Sequence, residues 1–410
     1  MALQRWLNSC KDYELARWKH IRPFFRSPEK IWLFARNAIV GRAVRIVCYL
    51  AVITIISTAL HAQTDDFSSV AASADAARRQ GDIPRAIELY RKATETNPNW
   101  TDGWWFLGIL QYDQNQYEPA RDALTHYLQL TPKAAPALAL RGICEFNLGA
   151  YEQALQDLEK ADSLGAANQP RNAQILYYHE GLLLTHFARF EEALAKLQLL
   201  AQQGADSPDL ALAVGLAGLH QNLFPQAVPP DQASLLSAVG HAAILLMQKN
   251  HDASRQAFQA LFIQYPRLPN IHYLYGYLLF PTSPDEALAQ FHQELTISPH
   301  NASAHAMLAW ALELQGDYAA SLDDAAKAAA DDPSLPMAQL VFGKALIETG
   351  DLQAGLPHLE RVLTTEPGNL EAHLALVKAY AKLGRSDDAR RERLLCLAIS
   401  QQGAAPVAAP

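Results

Sequence analysis

The sequence predicts an all-α solenoid of about ten helix-turn-helix units, and three observations carry that prediction. The pattern Trp104-x-x-Leu107-Gly108, Tyr117-x-x-Ala120 returns as Leu138-x-x-Arg141-Gly142, Tyr151-x-x-Ala154, shifted by 34 residues. A fixed period of this size means stacked units, none of which buries its apolar face alone. Small residues keep the same register through most of the chain. No stretch alternates apolar and polar residues for long enough to suggest a sheet, whereas alanine-rich runs such as Ala325 to Ala330 suit helices.

Units begin near Phe67, Thr101, Ala135, Gln174, Pro208, Leu235, Pro269, Ala302, Pro336 and Leu370. Position 8 of each unit is small: Ala74, Gly108, Gly142, Gly181, Gly215, Ala242, Gly276, Ala309 and Gly343, with Val377 the departure. Position 20 is small as well, from Ala86, Ala120 and Ala154 through Ser254 and Ser321 to Ala389. Two antiparallel helices approach closely only where no large side chain intervenes, so these positions mark the crossing. Position 15 holds Gly81, Asn115, Gly149, Gly316, Gly350 and Gly384, residues that end a first helix in the left-handed conformation. Pro98, Pro132, Pro266, Pro299, Pro333 and Pro367 open the links between units, because proline cannot continue a helix.

The register breaks in three places. Residues 169–173 lengthen one link. Phe224-Pro225-Gln226-Ala227 starts a second helix that Val228-Pro229-Pro230 breaks at once, and Phe280-Pro281-Thr282-Ser283-Pro284 shortens the seventh unit. The break after Phe224 divides the repeats into an N-terminal array at 67–227, an irregular joint at 228–234 and a C-terminal array at 235–400.

The pattern resembles the tetratricopeptide repeat (TPR), over roughly residues 67 to 400. The resemblance implies a right-handed superhelical solenoid whose first helices line a concave groove, at positions 2, 5, 9, 12 and 13 of each unit. Those positions place Trp105, Ile109, Tyr112, Phe146, Tyr178, His186, Tyr273, Tyr277 and Trp310 in the groove. Lys344 and Lys378 stand at such positions in the C-terminal half. Some relatives clamp a peptide's terminal carboxylate with Lys, Arg and Asn there, a set the N-terminal half lacks. An aromatic, weakly charged groove instead suits an extended or helical peptide with apolar anchors, since Tyr and Trp bury large area with little entropy loss. The competing reading is that these rings pack between neighbouring repeats.

Outside the repeats, residues 1–45 form a basic extension with ten Lys/Arg and three Asp/Glu, a net of +7. The whole chain carries −8, so the rest carries −15. An acidic solenoid repels nucleic acid and anionic lipid headgroups, which excludes non-specific binding to DNA. Residues 46–62 contain an uncharged apolar run, Ile46 to Leu60, behind Arg36, Arg42 and Arg45, and end in small residues before Gln63. Basic flank, apolar run and small-residue exit describe a secretory signal. The alternative is a retained anchor helix, although a spanning helix needs about 20 apolar residues. In either case the repeats are expected to be exported across the cytoplasmic membrane, to the periplasm or medium or held at the inner membrane. Residues 401–410, rich in Ala and Pro, are expected to be a disordered tail.

The sequence offers no chemistry. It has no His-Glu-x-x-His, no phosphate-cradling glycine loop and no nucleophile elbow, and His179-Glu180 lacks the second histidine of a zinc site. No metal site and no cofactor are expected. Cys144 and Cys396 are about seven repeats apart, too far for a disulfide along a solenoid, and both read as small core residues. The expected function is a non-enzymatic exported scaffold that binds a protein or peptide partner. The alternatives are a membrane-tethered assembly factor for an envelope complex and, from another class, a cell-wall or carbohydrate binder stacking sugar on Trp105.

Overall fold

The computed structural model describes residues 67–403. The basic extension, the apolar segment at 46–62 with Cys48, and residues 404–410 lie outside the described residues. Within them the chain holds α-helices and two single 3-10 turns, and no strand. The last helix runs through Gly403, so residues 401–403 of the expected tail are helical. The chain falls into two compact units, divided in sequence between Pro132 and Lys133.

The first unit holds α1 (67–80), α2 (Ile83–Thr96), α3 (Thr101–Asp113) and α4 (Tyr117–Leu130). Its core is Ala74, Ala77, Ile87, Tyr90, Leu107, Leu110 and Ala123. The fully buried Tyr90 ring keeps its hydroxyl paired, donating to Asp75 at 2.5 Å and accepting from Arg78 Nε at 2.9 Å. Asn115 ends α3 with φ +56°, as its place in the register requires.

The second unit runs α5 (Ala135–Asn147), α6 (Tyr151–Ser163), α7 (Pro170–His186), α8 (Phe190–Gln202), α9 (Pro208–Gly218), α10 (Pro230–Met247) and α11 (His251–Gln264). It continues with α12 (Ile271–Leu279), α13 (Pro284–Ile297), α14 (Ala302–Leu314), α15 (Tyr318–Asp331), α16 (Pro336–Thr349), α17 (Leu352–Thr365), α18 (Leu370–Lys382) and α19 (Ser386–Gly403). Consecutive helices pair as α5/α6, α7/α8, α12/α13, α14/α15, α16/α17 and α18/α19. Within these hairpins the small residues sit at the crossing. A Cβ added at Gly142 would lie 3.1 Å from the Ala154 carbonyl oxygen, and one at Gly343 3.2 Å from that of Gly355. Asn301, Asp317, Asp351 and Asn369 cap helices by accepting from a backbone N–H three residues on. Cys144 and Cys396 are buried and unbridged, in the core places expected of them.

The interrupted fifth repeat is repaired by α10. Its second helix is reduced to one 3-10 turn at Pro225–Ala227, and the expected joint at 228–234 falls at the start of α10, inside the second unit. α10 is 18 residues long where most of its neighbours have 13 or 14. It packs antiparallel on α9, with Gly215 against Leu236 and Gly240 against Ala211. Its C-terminal part packs on α11, where the Ser254 hydroxyl donates to the Ala242 carbonyl at 2.8 Å. One helix therefore serves as the second helix of one repeat and the first of the next.

Candidate binding surface

In the first unit, α3 carries Trp105, Ile109 and Tyr112 on one face, because residues four and seven apart stack along a helix. All three are half-buried. The Trp105 ring lies 5.3 Å from Tyr127, and Tyr112 meets Tyr117 edge-on at 6.0 Å. Trp104 is held differently: its indole N–H donates to the Pro98 carbonyl at 2.9 Å and its ring stacks on His126 at 4.4 Å.

In the second unit, Phe146, Tyr178, His186, Tyr277 and Trp310 are also half-buried. Trp310 stacks on Phe280 at 5.1 Å and leans on an alanine core of Ala306, Ala309, Ala325 and Ala338. Burial, followed by the charges of Glu191 and Glu192, pushes the Tyr277 hydroxyl up to about 12. Tyr273 departs from the expectation. It is 1% exposed and its hydroxyl donates to Glu191 Oε1 at 2.7 Å, so its ring packs in the core and faces no groove. Ser303 Oγ donates to the same oxygen at 3.1 Å, and His220 stacks on Phe190 at 4.4 Å beside it. Glu294, fully buried, accepts from the backbone N–H of Asn270 at 2.8 Å and of Tyr273 at 3.3 Å. It places a carboxylate at the positive end of α12.

Three lysines of the second unit are already paired. Lys344 lies 3.0 Å from Glu313 and 2.7 Å from Glu371, and Lys378 is ion-paired with Glu348. Lys196 bridges Glu180 at 2.7 Å and Asp162 at 2.5 Å. Burial lifts both the Glu180 and Glu313 carboxyls to about 7 in spite of these lysines. Lysines so engaged do not offer the unpaired ammonium that would clamp a free carboxylate. The arrangement can hold apolar and aromatic side chains.

Rings missed in the sequence complete a cluster in the second unit. Phe146 meets His179 edge-on at 5.1 Å, and Tyr151 meets His186 at 5.0 Å. Phe224, from the link between α9 and α10, stacks on His186 at 4.6 Å, with Tyr151 at 4.8 Å and Phe146 at 5.4 Å. One signal could have drawn attention to these residues. Phe224 stands at position 17, the place of Tyr117, Tyr151, Phe190 and Tyr318. Nothing in that register says that its ring turns back onto earlier repeats.

A tetratricopeptide repeat model matches residues 71–135, 107–173 and 282–336, and a second one matches residues 346–392, together half of the chain. No curated protein matches it by sequence. Among solved structures, yeast Tom70 is 13% identical, over 83% of this chain and 85% of its own, with a TM-score of 0.32. MamA is 17% identical, over 39% of this chain and 94% of its own, with a TM-score of 0.35. A tetratricopeptide repeat protein from Parabacteroides merdae is 19% identical, over 68% of this chain and 98% of its own, at 0.30. With its register, its helical hairpins and these family matches, the chain belongs to the tetratricopeptide repeat family.

Proposed function

We propose that this repeat scaffold for protein–protein interaction works outside the cytoplasm, without catalysis, and holds a peptide segment of its partner on the first-helix faces of its repeats. The observation that carries the reading is the set of half-buried rings on those faces in each unit, Trp105 and Tyr112 in the first and Tyr178 in the second, while the lysines at equivalent positions of the later repeats, Lys344 and Lys378, are already neutralised by Glu313, Glu371 and Glu348. Such a surface recognises aromatic and aliphatic anchors, which supply most of the affinity in peptide recognition. Export rests on the apolar run at 46–62 behind its basic flank. Among the described residues no helix is long and apolar enough to cross a membrane.

The test is affinity capture from envelope extracts with the full chain, followed by mass spectrometry and by sequencing of the mature N-terminus. Trp105→Ala and Tyr178→Ala are expected to reduce recovery of the partner about tenfold while helicity is retained, as for loss of an interface anchor worth about 1.4 kcal/mol. Recovery unchanged in both variants, or no partner above control, overturns the binding reading. A mature chain starting at Gln63 supports export with cleavage, an intact chain in the membrane fraction supports a tether, and a soluble cytoplasmic chain overturns export.

A further inference from the structure

The link between α9 and α10 does something that a severed helix need not do. At position 17 of intact repeats, Tyr151 and Phe190 open second helices and pack against a histidine of the following repeat: Tyr151 on His186 at 5.0 Å, Phe190 on His220 at 4.4 Å. Phe224 occupies the same place in the fifth repeat but opens no α-helix. Its backbone is extended, φ −80° and ψ +151°, and Val228 beyond the 3-10 turn is extended again, φ −71° and ψ +126°. The ring is thereby carried back onto the third and fourth repeats. There His186 covers one face at 4.6 Å with planes 18° apart, Tyr151 flanks it at 4.8 Å, and Phe146 meets it at right angles at 5.4 Å.

The rest of the segment is held less specifically: Leu223, Pro225, Val228 and Pro229 are half-buried, and the 3-10 turn packs on α9. Leu223 N–H donates to Gln221 O, Ala227 N–H to Phe224 O and Val228 N–H to Pro225 O, so these hydrogen bonds stay within the link. Gln221, Asn222, Gln226 and Ala227 are exposed, and Phe224 itself is half-buried. The link thus presents one aromatic anchor in extended backbone, with a proline-led 3-10 turn directly after it, seated in a three-sided aromatic cleft. Stacked and edge-on contacts of this kind select an aromatic ring in preference to an aliphatic or charged side chain. A following proline restricts the residue before it to the extended region, as at Phe224, which lowers the ordering cost of recognition.

We infer that the cleft of Phe146, Tyr151 and His186 is a recognition pocket for an aromatic–proline anchor in an extended partner segment, and that Phe224-Pro225 fills it in cis until such a segment displaces it. This rests on the scaffold reading above and names the chemistry of its partner. Occupancy in cis lowers the apparent affinity for a partner by the fraction of molecules whose pocket is free. A pocket filled nine times in ten would weaken partner binding about tenfold.

The experiment uses the full chain and a fluorescent peptide copying residues 219–230, read by anisotropy. The peptide is expected to bind Phe224→Ala protein at least about tenfold more tightly than wild type. Adding Phe146→Ala or His186→Ala should abolish the gain, and a peptide with alanine in place of its phenylalanine should not bind. Phe224→Leu, which keeps an apolar side chain in the link, is expected to give a gain in the same direction if Phe224→Ala folds poorly. Equal affinity for wild type and both Phe224 variants, or binding indifferent to His186, overturns the inference. If the peptide fails while Trp105- and Tyr178-dependent capture of a partner persists, the pocket assignment alone falls. If capture fails too, the scaffold reading falls with it.

Discussion

Gly240→Ala is expected to destabilise the second unit, although alanine is the better helix former. In an exposed helix the exchange would favour folding by about 1 kcal/mol. At this site the new Cβ would fall 1.7 Å from the Ala211 carbonyl oxygen and 2.9 Å from the Gly215 nitrogen. Carbon and carbonyl oxygen rest no closer than about 3.3 Å, so α9 and α10 would have to part by roughly 1.5 Å along that line. Both obstructing groups are backbone, and no rotamer change relieves them. Parting the helices loosens Leu210, Val214, Leu236 and Val239, all buried in this unit. Overpacking costs about 1–3 kcal/mol and the upper end applies when backbone must move, which leaves a net loss of about 2 kcal/mol after the propensity gain. For units of a few hundred residues that is a Tm lower by about 4–8 °C. Thermal unfolding of the full chain followed by circular dichroism at the helix band measures it. Gly368→Ala, whose Cβ would meet nothing within 4 Å, is the control. A Gly240→Ala chain melting at or above wild type would refute the double role given to α10.

Two further outcomes follow from buried polar groups. Tyr273→Phe removes only the hydroxyl that donates to Glu191 and should cost about 1–2 kcal/mol, whereas Tyr273→Ala empties a closed site and should cost about 3–5 kcal/mol. Urea titration of both variants checks this, and near-wild-type stability of Tyr273→Ala would return that ring to the binding face. Burial raises the Glu180 carboxyl from 4.5 to about 7, so the folded chain holds that proton more tightly than the unfolded one. Its contribution is full below about pH 4.5 and is lost as pH rises through about 7, a change on the order of 3 kcal/mol. Glu180→Gln should therefore melt above wild type at pH 8 and with it at pH 4, and parallel curves across that range would contradict the assignment.

The helical hairpins were legible because their determinants are local. Gly142 and Ala154, or Gly343 and Gly355, lie within one repeat, and the glycine that ends a first helix acts on its own turn. The site was legible only in part. Spacing placed Trp105, Ile109 and Tyr112 on one face of α3, and they remain half-buried there. It also placed Tyr273 among them, since position 5 of its unit faces the same way. Glu191, 82 residues away in the chain, takes its hydroxyl, and the core closes over the ring. Phe224 was visible only as the start of a broken helix.

The architecture is written in the chain's local pattern: the 34-residue period, the small residues at each crossing and the left-handed turns leave a chain of this composition few ways to fold other than stacked helical pairs. What the interruption became depends on long-range packing. α10 stands in for the missing helix, and Phe224 turns back into an aromatic cleft built from residues of two earlier repeats. The physical reason is range. Repeat geometry is set by neighbours within one period, whereas the destination of a freed segment is set by whichever distant surface offers its aromatic side chain cover from water, and no periodic pattern encodes that surface.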